Sequence, residues 1–163
     1  MDRRSPVFTE EASCQDCYKC LRACPVKAIQ VGHGHAQVRP EACIACGRCV
    51  AACPPKAKRV RDDLAEVRAL MQAGPVVASI APSWVAEFPD LQPGQLVAAL
   101  RRLGFACASE TALGARAVSA AVAEALRAAP QRLHLSTACP SAVDFIRKHR
   151  PALSGALTPI ASP

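Results

Sequence analysis

Eight of the ten cysteines stand in two groups that share one spacing. Each group reads Cys-x2-Cys-x2-Cys-x3-Cys-Pro, so the sequence contains an internal repeat. The cysteines of the two groups are Cys14, Cys17, Cys20 and Cys24, and Cys43, Cys46, Cys49 and Cys53. Thiolates separated by two residues can bind three corners of a cubane iron–sulfur cluster from a single loop. The spacing therefore favours the binding of [4Fe–4S] clusters.

The fourth cysteine of each group is expected to bind elsewhere. It lies about one helical turn beyond the third, so it points away from the cluster of its own group and toward the other. We therefore predict two [4Fe–4S] clusters with crossed ligands. One cluster takes Cys14, Cys17, Cys20 and Cys53, and the other takes Cys43, Cys46, Cys49 and Cys24.

Two other uses of clustered cysteines fit the sequence less well. Structural zinc sites use two cysteine pairs with a long spacer, whereas here three cysteines stand close together. Disulfides are typical of secreted chains, and the N-terminal segment has no apolar signal core. We therefore expect a cytoplasmic protein with reduced thiols. His33 and His35 lie where a hairpin turn is expected, and we interpret them as solvated side chains rather than ligands.

The formal net charge of +7 does not by itself indicate nucleic-acid binding. The basic residues are scattered, and aromatic residues make up only 4% of the sequence. Each cluster with four thiolates adds a charge of roughly −2, which leaves a mildly basic protein. Such a surface favours an acidic redox partner protein. The longest charge-free run, residues 69–86, contains Pro75 and Pro82, so we expect no membrane span.

After the second cysteine group, the pattern changes to alternating strands and helices. A helix is expected from Asp63, whose spacing from Glu66 resembles a capping box, to a stop at Gly74 and Pro75. The apolar segments VVASI, FACAS and RLHLS are predicted as strands, and a helical pattern follows each of them. This alternation is typical of an α/β domain with a parallel sheet.

Two cysteines lie outside the groups. Cys107 stands within the second predicted strand, and we interpret it as a small buried apolar side chain. Cys139 follows the third predicted strand and precedes a helix. Ligands of parallel sheets bind at the carboxyl ends of strands, and the first turn of a helix favours a thiolate or an anionic cluster. Cys139 is therefore a candidate metal ligand, although a lone cysteine is also typical of a packed core.

Residues from about 10 to 60 resemble the bacterial two-cluster ferredoxins, and the order of all the parts resembles the N-terminal portion of an [FeFe]-hydrogenase. The second resemblance rests on the segments APSWVAEF, LVAALRRLGF, ETALGA and STACP. It implies that Cys139 is a ligand of the catalytic H-cluster. It also implies that Ala138 replaces a cysteine that passes protons to that site in the family. In lacking this thiol, the chain is similar to the slower, sensory hydrogenases.

The predicted organisation has three parts. It comprises an α+β ferredoxin-like domain with two [4Fe–4S] clusters over residues 1–60, a linker helix over 61–74 and a partial α/β hydrogenase-like domain with a parallel sheet over 75–163. No cysteine follows Cys139, so this sequence lacks the other H-cluster ligands that the family requires. The sequence is therefore expected to be either a fragment of a longer protein or a truncated relative. We favour a fragment, whose partner is the remainder of the hydrogenase-like domain.

Three functions stay open at this stage. The first is the electron relay and first active-site segment of an [FeFe]-hydrogenase-like oxidoreductase. The second is a stand-alone ferredoxin-type electron carrier. The third is a non-catalytic hydrogenase-like protein of iron–sulfur assembly or sensing. In each case, a chain of these residues alone is expected neither to evolve nor to oxidise hydrogen.

Overall fold

The computed structural model describes residues 6–162, and their contacts divide the chain into two compact units. The first unit comprises residues 6–62 together with Leu135–Leu157. The second comprises Asp63–His134 together with residues 158–162. The predicted boundaries near residues 60 and 74 stay predictions. The placement of Leu135–Leu157 with the cysteine repeat is a feature that the sequence did not suggest.

The described residues form short strands and helices throughout. The strands are β1 (Val7–Thr9), β2 (Ile29–Gly32), β3 (His35–Val38), β4 (Lys58–Val60), β5 (Val77–Ile80) and β6 (Cys107–Glu110). The α-helices are α1 (Lys19–Ala23), α2 (Arg48–Ala51), α3 (Leu64–Ala73), α4 (Trp84–Glu87), α5 (Pro93–Arg102), α6 (Thr111–Ala128) and α7 (Pro140–His149). Single 3₁₀ segments cover Glu11–Ser13 and Pro151–Ala156.

The first unit contains two antiparallel strand pairs. Strands β2 and β3 form the predicted hairpin, with Ile29 opposite Val38. His33 and Gly34 make its turn, and both have a positive φ, as a tight two-residue hairpin requires. Strand β1 pairs with β4, with Val7 opposite Val60, so the segments before and after the cysteine repeat are joined.

The core of the first unit is small. Its main cluster of buried side chains consists of Cys20, Cys24, Ala28, Ile29 and Ala36. Three of these five side chains are larger than alanine, and two of those three are cysteines. A domain of about 60 residues is only marginally stable on its apolar core alone, and natural proteins of this size gain stability from metals, disulfides or partners. The composition of this core therefore points to the thiols as part of what stabilises the unit.

The second unit is built on a two-stranded parallel sheet. Val77 of β5 lies opposite Cys107 of β6, and α4 and α5 connect the two strands. This confirms the predicted parallel sheet in the later part of the chain. The third predicted strand, over residues 132–136, is wrong. Leu135 forms only an isolated bridge with Leu157. The backbone N of Leu135 donates to the Ala156 carbonyl at 2.8 Å.

Helix α3 confirms that a helix follows Asp63, whereas its role as a linker stays a prediction. The helix does not begin in the expected way. Asp63 makes no side-chain capping hydrogen bond there. A capping box instead starts α5, where the Gln92 N–H donates to Gln95 Oε1 at 2.8 Å. Leu64 of α3 is 61% exposed, and every fully buried apolar side chain among residues 6–162 lies in the first unit. The apolar stripes of the second unit are thus only partly covered.

Within residues 6–162, no helix combines the length and apolar character that crossing a bilayer would require.

Candidate metal centres

The two cysteine groups fold alike, residue for residue. Each has left-handed backbone at the same three places in the repeat. These equivalent pairs are Asp16 and Ala45, Tyr18 and Gly47, and Lys27 and Lys56. A left-handed residue between right-handed neighbours turns successive N–H groups toward one point, which is a common frame for anions and iron–sulfur clusters. Because non-glycine residues adopt this conformation at a cost of about 1–2 kcal/mol, its repetition indicates a backbone shaped for a bound group.

Each group also begins a helix at the same place. Tyr18 precedes α1, which carries the buried Cys20, and Gly47 precedes α2, which carries Cys49. The fourth cysteine of each group follows the helix. The helix therefore sets the third and fourth thiols about one turn apart, as the spacing required.

Four cysteines line one apolar cavity of the first unit. They are Cys24, Cys43, Cys46 and Cys49. Three of them come from the second group, whereas Cys24 comes from the first. The structure thus brings together the set that was predicted for one of the two clusters. Four thiols around one cavity form a donor set that suits iron–sulfur binding.

Two thiols of the other predicted set, Cys14 and Cys53, influence the pKa of Cys20. Burial raises the pKa of the Cys20 thiol, and the neighbouring Cys53 and Cys14 raise it further. Cys53 belongs to the second group, so a thiol of the second group lies near Cys20 of the first. Cys17 of the same predicted set is exposed. Burial also raises the pKa of Cys49, and the nearby thiols of its own group act in the same direction.

Backbone N–H groups point at three of the sulfur atoms. Ala28 N donates to Cys24 Sγ at 3.2 Å, and Ala45 N donates to Cys43 Sγ at 3.4 Å. The third bond, from the backbone N of Lys58 to Cys53 Sγ, is 3.5 Å long. Hydrogen bonds of this kind tune the reduction potential of a cluster that the sulfurs hold.

One histidine lies closer to the cysteines than its sequence position suggested. His35 is half-buried, and its Nδ1 lies 3.3 Å from Asp16 Oδ1. Asp16 in turn accepts a hydrogen bond of 3.5 Å from Cys14 Sγ. Ligand atoms of these three residues lie within 4.8 Å of one another. His33, at the hairpin tip, is exposed as expected.

The structure places the two isolated cysteines at strand and helix ends. Cys139 is the residue before α7, and its carbonyl accepts hydrogen bonds from Ala142 N and Val143 N at 3.0 and 3.1 Å. Its thiol is exposed. Cys107 was expected to be buried, and this is wrong. It begins β6, which pairs with β5 alone among the described strands, and its side chain is exposed.

The far end of α7 holds the loop that carries Cys43. Lys148 Nζ donates to the Cys43 carbonyl at 2.6 Å and to the Pro40 carbonyl at 3.2 Å. His149 Nε2 lies 2.9 Å from the Ala42 carbonyl oxygen. Sequence reasoning missed these residues because the partners are more than a hundred positions apart and neither carries a motif of its own.

Comparison with known protein families covers most of the chain. A family model described as "Iron only hydrogenase large subunit, C-terminal domain" matches residues 74–163. A second, described as "4Fe-4S dicluster domain", matches residues 6–54. A search of curated proteins found no match to this sequence.

Proposed function

Because the chain belongs to the family of the iron only hydrogenase large subunit, C-terminal domain, we propose that it transfers electrons through two [4Fe–4S] clusters within a hydrogenase-like protein. The observation that carries this proposal is the cavity shared by Cys24 and three thiols of the second group. When bound, each cluster would accept and release one electron at a time.

The ligand sets are those that the spacing predicts. Cys14, Cys17, Cys20 and Cys53 would hold one cluster, and Cys43, Cys46, Cys49 and Cys24 the other. The left-handed residues hold the loops in shape, and the backbone N–H groups stabilise the thiolates. Lys148 fixes the loop of Cys43 from the side of α7. The residues thus provide a rigid frame, which keeps the reorganisation between oxidised and reduced states small.

The experiment that tests this function is anaerobic reconstitution with iron and sulfide. We expect about eight iron and eight sulfide per chain, with a visible charge-transfer absorption that bleaches on reduction. Cys46→Ala should lower the iron content, whereas Cys107→Ala should not, because Cys107 belongs to neither set. Stoichiometric zinc without sulfide would contradict the proposal.

For Cys139 we propose a role as one thiolate ligand of an H-cluster-type site. Support comes from its position before a ten-residue helix within the segment that matches the hydrogenase family. The test uses the complete natural reading frame, matured with hydrogenase assembly proteins. We expect infrared bands of iron-bound carbon monoxide and cyanide that disappear in Cys139→Ala, while the two ferredoxin-type clusters persist. If the bands persist in Cys139→Ala, Cys139 is not a ligand of that site.

A further inference from the structure

A lysine occupies the core of the first unit. Lys58 is only 2% exposed, although lysine is almost never fully buried unless it is paired. It is the fifth residue after Cys53, and the fifth residue after Cys24 is Ile29, which is also buried. The two repeats therefore place an apolar side chain and a cationic one at equivalent core positions. A charge in such a position requires an explanation, because its desolvation opposes folding.

Neutral oxygens bind the ammonium group. Lys58 Nζ donates to Thr9 Oγ1 and, at 2.5 Å, to the Ala36 carbonyl. Thr9 Oγ1 donates to the same carbonyl at 2.6 Å. Among residues 6–162, no carboxylate forms an ion pair with Lys58. These contacts hold the ammonium in place, and none of them comes from a carboxylate.

Ligands of both predicted clusters lie near this lysine. Its backbone N donates to Cys53 Sγ at 3.5 Å, and its Nζ donates to the Ala36 carbonyl. Ala36 belongs to the same buried cluster as Cys20, and Cys49 packs against that cluster. Cys20 and Cys53 belong to one predicted ligand set, and Cys49 belongs to the other. In agreement with this placement, burial raises the pKa of Cys20 and of Cys49, and the Lys58 charge opposes both rises.

We propose that Lys58 is a positioned charge that raises the reduction potentials of both clusters. The inference rests on the proposed function. A [4Fe–4S] cluster with four thiolates changes its charge from roughly −2 to roughly −3 when a one-electron reductant reduces it, and no bond or proton moves. A fixed positive charge attracts the reduced form more strongly, and burial limits the screening by water. Lys58 thus makes both clusters easier to reduce than a repeat with two apolar residues would.

The experiment is a redox titration of the reconstituted protein, followed by visible absorption and by the paramagnetic resonance of the reduced clusters. At a fixed ambient potential, Lys58→Met should lower the ratio of reduced to oxidised clusters about tenfold, which is about 59 mV for a one-electron couple. Lys58→Arg should stay near the wild-type potentials because the charge is retained. Arg59→Met is the matched control, since this exposed residue next to Lys58 loses the same charge in water.

A purely structural role for Lys58 predicts a different result. Clusters that assemble fully in Lys58→Met and keep the wild-type potentials would overturn the inference. Lys58→Gln provides a second neutral variant, which can still donate to Thr9 or Ala36 if methionine disrupts the core. If neither neutral variant assembles clusters while Lys58→Arg does, the charge serves assembly and the inference is also overturned. A wild-type protein without clusters would instead contradict the proposed function itself.

Discussion

The two cysteine groups share a backbone path but differ in the side chains around it. Tyr18 in the first repeat and Gly47 in the second adopt the same left-handed conformation. Ile29 and Lys58 occupy equivalent buried positions. The cysteine spacing thus specifies the geometry of the frame, whereas the residues between and after the cysteines specify its packing and its charge. Two sites with the same ligands can therefore differ in stability and in potential.

Removal of iron should have the largest effect, and it should affect both repeats at once. Because each proposed site takes one thiol from the other group, each bound cluster links the two repeats, and removal of iron breaks both links. The buried core between them is small, so the apolar contacts cannot replace the metal. We expect a strong chelator under reducing conditions to accelerate amide exchange across residues 6–62 by a factor of about 100 or more, since structural metal sites contribute several kcal/mol.

Mass spectrometry of the exchanged peptides measures this effect. Peptides from α6, in the second unit, provide an internal control, because no predicted cluster ligand lies on that helix. One repeat that stays protected while the other exchanges would show that the two groups bind independently.

Single cysteine substitutions should separate the two sites. With crossed ligands, Cys53→Ala should perturb the cluster of Cys14 and Cys20, and Cys24→Ala should perturb the cluster of Cys43 and Cys49. We expect each variant to lose up to half of its iron, and the paramagnetic resonance of one reduced cluster with it. Damage confined to the group that carries the substitution would contradict the crossed assignment.

The sequence predicted the local parts of the molecule well because their signals are local. The hairpin over β2 and β3, helix α7 and the parallel pair of β5 and β6 follow from turn residues and apolar periodicity. The third predicted strand failed for a different reason. The segment around Leu135 is apolar enough for a strand, but its backbone partner is Leu157 rather than β5 or β6. Pairing of this kind depends on the whole fold.

The same limit applies to the candidate metal centres. The cysteine spacing alone predicted which thiols should meet. Cys24 and Cys43 line one cavity, whereas the two ligand sets stay a prediction. The contact of His35 with Asp16 and the anchoring of Cys43 by Lys148 could not be predicted, because the partners have no sequence relation. The burial of Lys58 could have been predicted, since an alignment of the two repeats places it opposite the apolar Ile29.

The smallest expected effect tests the left-handed positions that the repeats share. Gly47 has a φ of +74°, and a Cβ added there would meet no atom within 4 Å. Gly47→Ala should therefore cause no clash and should be destabilising only through its backbone conformation, by about 1 kcal/mol. For a unit of this size, that corresponds to a fall of about 5 °C in the temperature at which the clusters are lost.

The matched control is Gly74→Ala, which also has open space around the new Cβ but stands in extended backbone. It should leave the temperature of cluster loss within about 1 °C of wild type, because any residue adopts that conformation. The reverse substitution in the first repeat, Tyr18→Gly, relieves the same strain but also removes a side chain that packs on the core. We therefore expect Tyr18→Gly to be destabilising, since the lost packing outweighs the relieved strain. If Gly47→Ala were as harmless as Gly74→Ala, the left-handed geometry would not be a shared requirement of the two repeats.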